Sequence, residues 1–196
     1  MVKVLFRGSL GGKNRQVYNE VYESLLKEAL GQSREFILAN YNLFGVPKNT
    51  KTPTIVFYHW YYALPSQWTL LLNYRSSDNY VPLLHETAHL LHYRINPQIW
   101  ANSAGEFQLG IPNLEGSIRE MVAETAAIHH LNNLGILQRA IELKQLEMPC
   151  SRLILREYAR LEGGLPRLIR AKSIEEALEI PGVDRQFLEK IKNIRG

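Results

Sequence analysis

Three residues in the run Leu84-His85-Glu86-Thr87-Ala88-His89-Leu90-Leu91-His92 have the types and spacing to do chemistry. Residues four apart on a helix lie one turn above each other, so His85 and His89 point the same way. Two imidazoles so placed can each give one ring nitrogen to a single zinc ion. Glu86 follows the first of them directly, where its carboxylate reaches the ion's open side and can take a proton from a bound water. The plain alternative is two helical histidines and a solvated glutamate. Against it stand Val81, Leu83, Leu84, Ala88, Leu90 and Leu91, which wrap most of a helix running from Tyr80 to Tyr93. A helix apolar nearly all round is a buried one. Burying two imidazoles and a carboxylate without partners is strongly unfavourable, and a metal ion is the simplest partner.

Zinc in catalytic sites usually takes three protein ligands and a water, so a third ligand must come from elsewhere. A helix expected over Leu114–Asn133 offers Glu115, Glu120, Glu124, His129 and His130. Glu120, Ala123, Glu124 and Ala127 share one stripe, and small alanines there would let this helix approach the first one closely. Glu120 could then bind zinc while Glu124, one turn on, hydrogen-bonds a ligating histidine. A solvated face is the competing use of both glutamates. His92 continues the stripe of His85 and His89. It lies about 10 Å along the axis from His85, too far to share one ion with bonds of about 2 Å. His92 therefore reads as a residue behind the ligands or at the helix end. His59, Tyr61 and Tyr62 follow an apolar strand and are candidates for polarising a substrate carbonyl, with packing as the competing role.

The elements that must position these groups follow from pattern. Met1–Arg7 reads as a strand and Gly8–Lys13 as a glycine-rich loop without phosphate-cradle spacing. Val17, Val21, Leu25 and Ala29 recur every four residues, predicting an amphipathic helix that stops near Gly31. Phe36–Phe44 reads as extended. Thr54–Trp60 and Trp68–Tyr74 are rich in β-branched and aromatic residues and predict strands, the second of them an edge along which an extended peptide can pair. A polar stretch from Asn96 to Pro112 links the two site helices. Gly135 marks a break, with helices expected over Ile136–Glu147, Ser151–Leu161, Ser173–Glu179 and Asp184–Ile194. The expected class is α+β. A small, mostly antiparallel N-terminal sheet packs on the two site helices, and a helical C-terminal part follows. Residues 1–135 form the site-bearing domain and 136–196 a helical extension.

Composition narrows the classes. At 196 residues the chain fits one domain, with 45% hydrophobic and 21% charged residues as in ordinary globular proteins. No apolar run is long enough to span a bilayer, and the opening segment is too short for a signal peptide. Cys150 is the single cysteine, which excludes a disulfide framework and a thiolate zinc site. These features favour the cytoplasm. A net charge of +4 arises from 23 basic residues interleaved with 19 acidic ones, short of a nucleic-acid-binding signature.

His85-Glu86-x-x-His89, followed by Glu120-Met121-Val122-Ala123-Glu124, resembles the gluzincin metallopeptidases, most closely the minigluzincins and ImmA/IrrE-type peptidases. The resemblance covers about residues 54 to 133. It implies a zinc metalloendopeptidase acting on peptide or protein substrates, with His85, His89 and Glu120 as ligands and Glu86 as general base. The family's Asp or Asn at position 124 is Glu here, which leaves open a swap of roles between Glu120 and Glu124. In the tail, Ile180-Pro-Gly-Val183 is similar to the turn of helix-hairpin-helix DNA-binding motifs, but the glycine expected next is Asp184. An ordinary Pro-Gly turn with Asp184 capping the next helix is the competing reading. A second functional class stands beside the peptidase: a DNA-associated regulator with a structural or vestigial zinc site.

Overall fold

The computed structural model describes residues 12–58, 62–73, 80–101 and 113–195. Helix α1 (Gly12–Phe44) leads into strands β1 (Thr54–Tyr58), β2 (Tyr62–Leu64) and β3 (Thr69–Asn73). Helix α2 (Tyr80–Ile95) and helix α3 (Leu114–Asn133) follow. Then come α4 (Leu137–Glu142), α5 (Pro149–Leu161), α6 (Leu165–Leu168), α7 (Ile174–Leu178) and α8 (Arg185–Arg195). The class is α+β, with one small three-stranded sheet among the described residues. No described helix is long and apolar enough to cross a membrane.

Several expectations are corrected. Gly31 does not end the first helix, and Phe36–Phe44 is helical rather than extended. Among the described side chains of α1, from residue 23 onward, the inward positions are Leu26, Ala29, Ser33, Phe36, Ile37, Asn40 and Phe44, a three-and-four spacing in which two members are polar. Ser33 reaches Thr87 on α2 through hydroxyls 3.2 Å apart, and the Asn40 amide lies 3.2 Å from His130 Nδ1 on α3. Those contacts and the burial of Phe36 and Phe44 outweigh the roughly 1 kcal/mol that one glycine costs a helix interior. The helix ends instead at Gly45 (φ 68°), where the Val46 and Gly45 amides bond the Tyr41 and Asn42 carbonyls. Gly135 closes α3 in the same way, through the Leu131 and Asn132 carbonyls.

The sheet is mixed, not mostly antiparallel, and it follows α1. Its order is β1-β3-β2, with β3 parallel to β1 and antiparallel to β2. β3 is therefore the central strand, which removes it as an edge for a peptide. Its Leu70 and Leu72, together with Ile55 and Ala63, pack on Leu83 and Leu90 of α2 and on Leu26 and Ala29 of α1. The larger core surrounds α3, which contacts α1, α2 and each helix from α4 to α8. Residues 97–101, the start of the polar stretch between the site helices, are helical, whereas α4 covers only part of Ile136–Glu147. The proposed opening strand, most of the Gly8–Lys13 loop and most of the Asn96–Pro112 stretch lie outside the described residues.

Candidate metal centre

Each site helix forms for local reasons. In α2, Pro82 sits in the first turn, where its missing N–H is not needed. Every residue from Leu83 to His92 except His85 is then buried. In α3, the Asn113 side chain accepts a 2.6 Å hydrogen bond from the Gly116 amide and caps the helix, with Glu115 favourably placed in its first turn. Ala123, Ala126 and Ala127 are fully buried, and α2 and α3 pack closely.

The helices run antiparallel, so His89 meets Glu120 and His85 meets Glu124. His89 Nε2 lies 3.0 Å from Glu120 Oε1, and His85 Nε2 lies 3.2 Å from Glu120 Oε2. The two imidazoles stand perpendicular at 88°, their centroids 4.6 Å apart. One donor atom from each of His85, His89 and Glu120 falls within 4.8 Å of the others, a group able to hold a metal ion. In a tetrahedral zinc site with bonds of about 2.0–2.1 Å, neighbouring ligand atoms lie about 3.3 Å apart. The two nitrogen–oxygen spacings are of that order, each to a different oxygen of the Glu120 carboxylate. The set of two imidazoles and a carboxylate also leaves the fourth position of such a site to water.

The remaining nitrogen of His85 is held from behind. Its Nδ1 lies 2.7 Å from Glu124 Oε2, a carboxylate oxygen that can only accept, so Nδ1–H donates there and the ring is held with Nε2 toward Glu120. Glu120 and Glu124 are only 4% and 3% exposed, so both carboxylates depend on these partners. The other Glu124 oxygen, Oε1, is buried without a hydrogen-bond partner among the described residues. Burial alone would push His85 toward its neutral form. The charges and hydrogen bonds of Glu120 and Glu124 outweigh it, and the imidazole pKa stands well above the usual histidine value.

Glu86 is buried on α2, one position past the first histidine. His92 is fully buried and stays outside the group, its ring 6.4 Å from that of Trp100. Among the described residues neither His92 nitrogen makes a hydrogen bond of good geometry, and burial, with the nearby His89 and Arg119, pushes its pKa down to about 3. His129 and His130 serve other contacts. His129 Nδ1 lies 3.1 Å from the Tyr158 hydroxyl on α5, while His130 faces Asn40 and the Phe36 ring on α1. His59 and Tyr61, and the side chain of Tyr62, lie outside the described residues.

Two residues at the centre carried no sequence expectation. The Trp100 ring meets the His89 ring edge-on at 5.4 Å, and the Arg119 guanidinium lies 4.4 Å over the same indole. Arg119 is the one Lys or Arg of α3 and directly precedes Glu120, which was the available signal.

In the tail, Gly182 (φ 90°) sits so close to α5 that a Cβ there would lie 2.9 Å from the Arg160 carbonyl oxygen. Asp184 accepts from the Phe187 amide at 2.8 Å and so caps α8. Both features belong to a packed Pro-Gly turn, with a carboxylate where a phosphate would have to bind. No protein-family model, curated protein or solved structure matches the chain.

Proposed function

We propose that this protein is a zinc-dependent peptidase of gluzincin type. The observation that carries the reading is the convergence of His85 Nε2 and His89 Nε2 on one Glu120 carboxylate, with Glu124 behind His85. A zinc ion bound there supplies Lewis acidity, lowering the pKa of a water and polarising a scissile carbonyl. His85, His89 and Glu120 hold the ion, and Glu124 keeps the His85 ring in register. Glu86 takes the proton from the attacking water and returns it to the leaving amine. Glu86 is buried on α2 directly after His85, where a purely structural site has no use for a carboxylate, and its presence favours catalysis.

Metal analysis and the variant Glu86→Gln test this together. The purified protein should hold about one zinc per chain, and the variant should keep that zinc and its fold. Hydrolysis of a broad peptide library should fall by about a hundred- to ten-thousandfold in the variant. A protein that takes up no zinc ends the reading, and a Glu86→Gln variant as active as the parent removes Glu86 as the base.

A further inference from the structure

The last turns of α3 take part in a second convergence of metal-ligating groups. His129 stands on α3 and Tyr158 on α5, with Glu162 one helical turn after Tyr158 on the same face. The Tyr158 hydroxyl lies 2.8 Å from Glu162 Oε1 and 3.1 Å from His129 Nδ1. His129 Nδ1 in turn lies 3.4 Å from Glu162 Oε1. The three atoms close a triangle rather than lining up as a relay. Ligand atoms about 2.0–2.1 Å from one ion stand about 2.8 Å apart at right angles and about 3.3 Å apart in a tetrahedron. The sides of the triangle cover that span.

Hydrogen bonding alone serves the triangle incompletely. The Glu162 carboxylate only accepts, so the phenol O–H and one imidazole N–H are shared over three edges. A cation at the centre serves all three atoms. The His129 and Glu162 side chains are 24% and 40% exposed, which leaves an ion and its waters a way in, while Tyr158 is buried. Asn133 Nδ2 lies 2.9 Å from His129 Nε2. The same amide turned over presents its oxygen there, to accept an Nε2–H when Nδ1 binds metal. Burial and Glu162 hold the Tyr158 pKa above the usual tyrosine value, so the phenol keeps its proton until an ion displaces it. A hydrogen bond from Asn132 acts the other way and favours the ionised oxygen.

We infer that His129, Tyr158 and Glu162 form a second metal site, taking a divalent transition-metal ion on one imidazole nitrogen and two oxygens. A phenolate and a carboxylate together balance the charge of such an ion. On binding, the phenol proton leaves for solvent as the oxygen–metal bond forms, and the imidazole proton moves from Nδ1 to Nε2. About one proton is therefore released per ion. The ion ties the end of α5 to α3 and shares no ligand with the centre at His85, His89 and Glu120.

Copper(II), the strongest binder among the divalent ions for such donors, is the probe. The full chain, loaded with one equivalent of zinc, should take up about one copper ion, release about one proton, and gain a visible phenolate-to-copper absorption band. Its paramagnetic resonance should show coupling to a single imidazole nitrogen. Copper exchanged into the His85–His89 centre would couple to two and give no phenolate band. Tyr158→Phe, which keeps the packed ring, should lose the band. His129→Ala and Glu162→Gln should each weaken uptake at least about tenfold, since even an orienting partner costs that much. A parent protein that shows no band overturns the site whether or not the variants fold, and so does a band that survives in Tyr158→Phe. Neither result bears on zinc held by His85, His89 and Glu120.

Discussion

His85 shows how α3 divides the work of holding one imidazole. Glu120 stands at Nε2 and Glu124 at Nδ1, from residues one helical turn apart. The two carboxylates are therefore not equivalent. Removing a ligand should strip metal severely, whereas removing an orienting partner typically costs ten- to a hundredfold in affinity or activity. Glu120→Ala should accordingly lose zinc more completely than Glu124→Ala in competition with a chelator. The reverse order would give the ligand role to Glu124. At this scale the sequence is legible where chemistry is local. His85 and His89 declare themselves by a spacing of one turn. Glu120 and Glu124 can be named only as occupants of one stripe, because helical periodicity alone does not say which reaches Nε2. The Trp100–Arg119 stack is not legible, since it depends on how residues 97–101 fold back over α2.

At the scale of elements, two glycines mark where pattern reading succeeds and fails. Gly31 interrupts the apolar repeat of α1 on its exposed face, and a Cβ added there would meet nothing within 4 Å. Its backbone is helical, so Gly31→Ala should stabilise the protein by about 0.5–1 kcal/mol. Gly182→Ala should do the opposite, because the added Cβ meets the Arg160 carbonyl at 2.9 Å and φ is 90°. Urea midpoints of the two variants should fall on either side of the parent, and a shift of the same sign in both would refute the contrast. Local signals such as Gly135 and the Ser173 and Asp184 caps are readable because each acts within a few residues. The continuation of α1 through Phe36–Phe44 is not. Its register is set by Ser33 and Asn40, polar residues whose inward position depends on Thr87 and His130, far along the chain. Sheet order is equally hidden, since nothing within β3 states that β1 lies parallel on one side and β2 antiparallel on the other.

The whole molecule should respond to acid through its neutral buried histidines. The pKa of His92 is lowered to about 3 and that of His130 to about 4, mainly by burial. An unfolded histidine titrates near 6.5, so protons favour the unfolded chain once pH falls below that value. Each residue contributes stability that is present above about pH 6.5 and lost as pH drops, roughly 2 kcal/mol by pH 5. In urea titrations, His92→Leu should lose about 2 kcal/mol less than the parent between pH 7 and pH 5. An identical loss would show that His92 is not held neutral. Helix α1, a single rod of 33 residues, sets how such losses spread. Leu26 and Ala29 belong to the cluster under the sheet, whereas Phe36, Ile37 and Phe44 belong to the one around α3. A helix shared in this way leaves no seam at which the two clusters can separate. The slowest-exchanging amides of the sheet and of α3 should therefore report one common opening event rather than two.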